Sequence, residues 1–130
     1  MPDLAAAPGG VAIADFPERV RTAIRGIVIA DSTKARLLRE DGYPAVFYFP
    51  PEDVRMAEFL TATATRTTCP RKGAARYWTF RLGDGEEVDL AWAYPDPIPA
   101  CAAIKDHIAF YWDRMDCWFV GDRQVPVPPA

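Results

Sequence analysis

Wherever a period can be read along the chain, it is a period of two. In residues 76–82, Trp78, Phe80 and Leu82 fall on one face, and Tyr77, Thr79 and Arg81 on the other. Gly83-Asp84-Gly85 then supplies turn residues that tolerate positive φ. Beyond the turn, Val88, Leu90, Trp92 and Tyr94 share one parity, with Asp89, Ala91 and Ala93 opposite. This alternation predicts an antiparallel hairpin. A second hairpin is predicted from Val20, Thr22 and Ile24, turning at Arg25-Gly26 into Ile27-Val28-Ile29. A third is predicted from Ile108, Phe110 and Trp112, turning at Asp113-Arg114 into Met115, Cys117 and Phe119, with a further turn at Gly121-Asp122.

Val46-Phe47-Tyr48-Phe49 reads as a short buried strand, and the threonines of 61–68 disfavour helix. Helical signals are short. Ser32 can cap a turn running through Leu37 and Leu38 to Gly42, although the same residues suit a strand. Pro51-Glu52-Asp53 places proline and acids in a first turn, and 100–107 can form another short helix. No strand–helix alternation is present, so a parallel α/β sheet is not expected. The reading is a mainly β, single small domain of antiparallel hairpins with short helical turns.

Proline sharpens the boundaries. The chain has 13 prolines in 130 residues, and each removes a backbone donor and fixes φ. Their clustering predicts a loosely held segment at 1–16, a domain at 17–123 and a proline-rich tail at 124–130. Hydrophobic residues make up 50% and charged residues 25%, the mix of a globular protein rather than a disordered or fibrous one. The formal net charge of −3 gives no global attraction to nucleic acid or an anionic membrane. Three cysteines without a Cys-x-x-Cys pair argue against a disulfide framework and a thiolate zinc site. No secretory pattern or long apolar run is found, so a cytoplasmic location is expected.

Candidate chemistry gathers at a few places. In Cys69-Pro70-Arg71-Lys72-Gly73 a thiol stands near cations, with Arg66 close in sequence. Nearby cations favour a thiolate, and Arg71 and Lys72 suit a phosphate or carboxylate. A small buried cysteine before a turn is the plainer alternative for Cys69. Asp53 follows a double proline and is read either as a first-turn acid or as a groove-facing acceptor or base. Tyr48, Tyr77, Trp92, Tyr94 and Trp112 are candidates for the wall of an aromatic groove, on which a planar ligand can stack. Trp78, Phe80 and Phe110 are read as core. His107, the single histidine, is read as structural, and no metal site and no cofactor are expected.

Four ordered segments carry a resemblance: Tyr48-Phe49-Pro50-Pro51-Glu52-Asp53-Val54, Cys69-Pro70-Arg71-Lys72-Gly73, Ala91-Trp92-Ala93-Tyr94-Pro95-Asp96-Pro97 and Ala109-Phe110-Tyr111-Trp112-Asp113-Arg114. Together, over roughly residues 20–123, they resemble the bacterial family called domain of unknown function 427. The resemblance implies a β-tent-like fold, similar to methionine sulfoxide reductase B-type domains and certain zinc-binding chaperones. It favours the strand at 33–41, suggests a nucleotidyltransferase-like label and brings no settled activity. Relatives often carry histidine where this chain has Thr68, and glutamate where it has Ala100. Any acid–base role of those groups is missing here.

The resulting expectation is a domain that binds a small anionic or planar, nucleotide-like metabolite. The alternatives are an enzyme using the same groove, through Cys69 or as a nucleotidyltransferase, or a protein-interaction module. Expected partners are a small molecule, with no nucleic acid and no membrane; homodimerisation stays open.

Overall fold

The computed structural model describes residues 10–130. The chain runs through strands β1 (Val11–Asp15), β2 (Val20–Ile24), β3 (Ile27–Ser32), β4 (Arg36–Glu40) and β5 (Tyr43–Tyr48), then the short helix α1 (Met56–Phe59). Next come the long strands β6 (Leu60–Cys69), β7 (Gly73–Leu82) and β8 (Gly85–Ala93). The short strands β9 (Ala109–Phe110), β10 (Cys117–Val120) and β11 (Arg123–Gln124) complete the fold. Three antiparallel sheets result, ordered β1-β4-β5, β11-β10-β2-β3 and β6-β7-β8-β9. The remaining helical pieces are single 3₁₀ segments, among them Pro51–Asp53 and Pro99–Ile104. None of the described helices is long and apolar enough to cross a membrane.

Local chemistry explains the hairpins. Arg25 and Gly26 both take positive φ (49° and 80°), the two-residue turn whose twist matches antiparallel strands. The β1-β4-β5 sheet is apolar on both faces. Leu37, Ala45 and Phe47 enter one core cluster, while Val11, Leu38 and Tyr48 enter the other. A strand buried on both sides gains from adjacent apolar residues, so Leu37-Leu38 is strand rather than helix.

Several expectations are corrected. The third hairpin does not exist: β9 pairs with β8, and β10 pairs with β2, from Cys117–Ala23 to Val120–Val20. Residues 112–114 form a 3₁₀ turn between them instead. The ordered domain begins before residue 17, because β1 pairs with β4 from Val11–Glu40 to Asp15–Arg36. Residues 1–9 of the segment expected to be loose lie outside the described residues. The 124–130 stretch is also attached, beginning with Val125 N–H donating to the Trp118 carbonyl at 2.9 Å.

Parity fails once inside the best-predicted hairpin. Between Trp78–Ala91 and Phe80–Glu87 the register of β7 and β8 shifts. At that bulge Asp89 sits at φ 50°, and its carboxylate accepts from the Thr63 and Thr65 hydroxyls, each at 2.7 Å. The extra residues turn Val88 out to solvent, 57% exposed, while Leu90 stays fully buried. A bulge changes facing without any mark in an alternating sequence.

Candidate functional site

Phe49 and Ile108 exchange backbone hydrogen bonds, Phe49 N–H to Ile108 carbonyl at 2.8 Å and the reverse at 2.7 Å. From this single bridge the edge of β5 and the segment around β9 diverge, leaving a cleft between two sheets. Backbone groups alternate sides along a strand, so the N–H and carbonyl of Phe47 point to the same, cleft-facing edge as those of Phe49. The cleft has a volume of about 470 Å³ and is lined by β5 on one side and by residues of β7, β8 and 110–112 on the other.

Its polar end is built on the turn between β6 and β7. Lys72 N–H donates to the Cys69 carbonyl at 3.1 Å, and Ile98 N–H to the Lys72 carbonyl at 2.8 Å. The turn therefore docks on the proline-shaped loop that follows Tyr94. Gly73 permits this contact: it takes φ 132°, and a Cβ there would meet the Asp96 carbonyl oxygen at 3.2 Å and Pro97 Cα at 3.3 Å. Lys72 Nζ donates to Glu40 Oε1 at 2.5 Å, and these side chains are 12% and 10% exposed. Lys72 Nζ also lies 3.7 Å from Cys69 Sγ. Arg71 approaches the same carboxylate at 3.4 Å from a more exposed position. Two cations meet one carboxylate, so this end keeps an uncompensated positive charge.

Two phenols face the same space. Burial pushes the Tyr48 hydroxyl far above the ordinary phenol range, with Tyr94 the next cause. Burial likewise raises Tyr94, followed by the neighbouring Cys69. Both remain protonated across the physiological range and are available as donors. Trp92 Nε1–H donates to Tyr48 Oη at 3.4 Å, and the Tyr77 hydroxyl is tied to that of Thr67 at 2.8 Å. Cys101, raised by burial, donates its thiol to the Arg71 carbonyl at 3.3 Å and braces the turn from behind.

The other end is aromatic. Trp112 stacks on Trp118 with centroids 4.2 Å apart and planes 2° from parallel. Trp92 and Tyr111 meet at 4.7 Å. Tyr43 and Tyr111, 67% and 39% exposed, stand at the mouth.

The structure brings Tyr48, Cys69, Lys72, Tyr77, Trp92, Tyr94 and Trp112 together around one cleft. It does not bring in Asp53, whose carboxylate accepts from Ser32 Oγ at 2.6 Å. Ser32 Oγ in turn accepts from Lys34 N–H at 2.9 Å, so Asp53 fastens the β3–β4 link. Neither its own 3₁₀ turn nor the cleft uses that side chain. Arg71 reaches Glu40 from a more exposed position and does not line the cleft. Arg66 is turned back to the Thr63 and Thr65 carbonyls at 2.9 and 2.8 Å. His107 contacts the Lys105 carbonyl through Nδ1 at 2.9 Å and does not line the cleft.

Glu40, Tyr43, Tyr111 and Trp118 line the cleft without having been singled out, and Phe110, expected in the core, serves both core and wall. Tyr111 lay inside the quoted 109–114 segment and so carried a signal, whereas Glu40 carried none, its partner Lys72 being 32 positions away. Among the described residues no three His, Cys, Asp or Glu side chains converge.

The chain matches no curated protein. Residues 12–121 match a family model described as a domain of unknown function, DUF427. Apart from Val11 of β1, that span covers every strand except the last and every cleft residue named above, and the chain belongs to the DUF427 family.

Proposed function

We propose that the cleft binds a small planar molecule carrying one negative group. The observation that carries this reading is the pairing, in one cleft of about 470 Å³, of aromatic walls with the Glu40–Lys72–Arg71 group. That volume lies in the range of metabolite sites, roughly 300–1,000 Å³. The ring would lie against the aromatic wall at Trp92 and Tyr111, with the Tyr48 and Tyr94 phenols as neutral donors. The negative group would meet Lys72 Nζ, whose partner Glu40 is shared with Arg71, so that the three-residue group stays one positive charge in excess. Because Glu40 already holds Lys72, the charged contact adds orientation more than affinity.

A transferase reading loses its acid, since Asp53 is bonded to Ser32 away from the cleft. Thiol chemistry keeps one specific support, the 3.7 Å approach of Lys72 Nζ to Cys69 Sγ. It predicts that iodoacetamide labels Cys69 at neutral pH far faster than Cys117; equal rates would remove it.

The test of the main reading is a thermal-shift screen with nucleoside monophosphates, aromatic carboxylates, phosphosugars and aliphatic acids. A ligand at 100 times its Kd adds about 2.7 kcal/mol, a shift of several degrees at this size. Stabilisation confined to planar anions, and lost in Trp92→Ala, is the expected result. Equal response to phosphosugars would reduce the site to its charge, and silence across all classes would overturn the reading.

A further inference from the structure

One wall of the cleft mouth is already covered by the chain itself. The segment Val125–Ala130, Val-Pro-Val-Pro-Pro-Ala, leaves β11 and crosses from one sheet to another. Three hydrogen bonds mark its course. Val125 N–H donates to the Trp118 carbonyl at 2.9 Å. The indole Nε1–H of Trp112 donates to the Pro126 carbonyl at 3.2 Å. Arg39 Nε–H, on β4, donates to the Ala130 carbonyl at 2.9 Å. Between the last two contacts Pro128 joins the cleft lining, alongside Tyr43, Pro44 and Trp112.

Each contact suits a proline-rich chain for a chemical reason. Pro126, Pro128 and Pro129 have no N–H, so laying them on an aromatic surface leaves no donor unpaired. Their fixed φ reduces the conformational entropy lost on docking. Recognition then needs donors aimed at the carbonyls, and Trp112 and Arg39 supply them. Trp112 is itself held in place, stacked on Trp118, with its own carbonyl accepting from Trp118 Nε1–H at 3.2 Å. A rigid aromatic face with an indole donor is the arrangement by which proline-rich segments are commonly bound. The hold is also light: Val127, in the middle, is 66% exposed.

We propose that the face formed by Trp112, Tyr43, Pro44 and Arg39 is a recognition surface for proline-rich extended segments. Val125–Ala130 fills it in cis, and the partner is a protein whose proline-rich segment displaces that cover. Because the cover borders the cleft mouth, an exchange in trans would also change access to the cleft. The surface itself does not depend on what the cleft binds.

The test uses the full chain, labelled with ¹⁵N, and a full-length variant, Pro126→Ala/Pro128→Ala/Pro129→Ala, whose changes lie outside the core. The indole Nε1–H resonance of Trp112 reports the contact directly. The resonance is expected to move in the variant, and the free peptide Val-Pro-Val-Pro-Pro-Ala to move it back saturably. The peptide Val-Ala-Val-Ala-Ala-Ala should leave it in place. The wild-type chain should take the proline peptide at least about fivefold more weakly, because its own segment competes. An unchanged resonance in the variant, an equal response to the alanine peptide, or equal affinity of both chains would each overturn the proposal. A failure of the cleft to bind planar anions would leave all of these readouts intact.

Discussion

Two motifs are equally conspicuous in the sequence, Pro50-Pro51-Glu52-Asp53 and Cys69-Pro70-Arg71-Lys72-Gly73, and the fold uses them differently. Both join a turn to charged residues. At the first, the acid is consumed locally: Asp53 binds Ser32, and the Val54–Arg55 backbone meets β3, with Arg55 N–H donating to the Ile29 carbonyl at 2.9 Å. At the second, backbone contacts hold the turn and leave its side chains over a cleft. Charge beside a turn therefore says little until one knows which partner reaches it. Asp53 has a serine within reach, and Lys72 has a carboxylate in the wall of a cavity.

The largest effect that separates them is predicted at Lys72. Lys72→Ala leaves the largely buried Glu40 with only the longer contact to Arg71, which should cost about 3 kcal/mol. Chemical denaturation reads this loss, and the double variant Glu40→Gln/Lys72→Met should recover most of it. Next is Gly73→Ala, where positive φ and the close Asp96 and Pro97 backbone make a Cβ costly, about 2 kcal/mol. That variant should also weaken ligand binding, since it moves the loop against which the turn is held.

Asp53→Ala is expected to cost only about 1 kcal/mol, because Ser32 keeps its bond from Lys34. It should leave cleft affinity unchanged, and a large change in affinity would erase the distinction between the motifs. The smallest effect is in pH dependence. Tyr48 stays protonated when folded but ionises in the unfolded chain near the ordinary phenol value of 10.0. The unfolded state then holds fewer protons, so stability falls as pH rises above that value. Tyr48→Phe should flatten this alkaline limb of Tm against pH. At the acid end, Asp31 is held below its usual range, first by the hydrogen bond from Arg19. Its small contribution is present above the unfolded carboxylate value and fades as pH falls below about 4. Arg19→Ala should remove that fading.

Local pairing was legible in the sequence and long-range pairing was not. The β2–β3 and β7–β8 hairpins follow from alternation and turn chemistry over a few residues. The pairing of β10 with β2 joins Cys117 to Ala23, and nothing in the 108–119 pattern distinguishes that partner from a neighbouring strand. The aromatic wall was legible for a related reason. Tyr48 and Trp92 sit in strands, and Tyr94 just beyond one, that carry more large rings than one core face can take, and the excess lines the cleft. Glu40 was hidden because its importance comes from Lys72, which lies 32 positions away. Asp53 misled because Ser32, its partner, belongs to a different strand connection.

The most direct measurement is isothermal titration of the strongest planar anion from the screen into the wild-type chain, Trp92→Ala and Asp53→Ala. Wild type and Asp53→Ala are expected to bind with the same affinity, and Trp92→Ala to lose about tenfold or more. Binding that survives in Trp92→Ala, or that disappears in Asp53→Ala with the fold intact, would contradict this reading of the cleft.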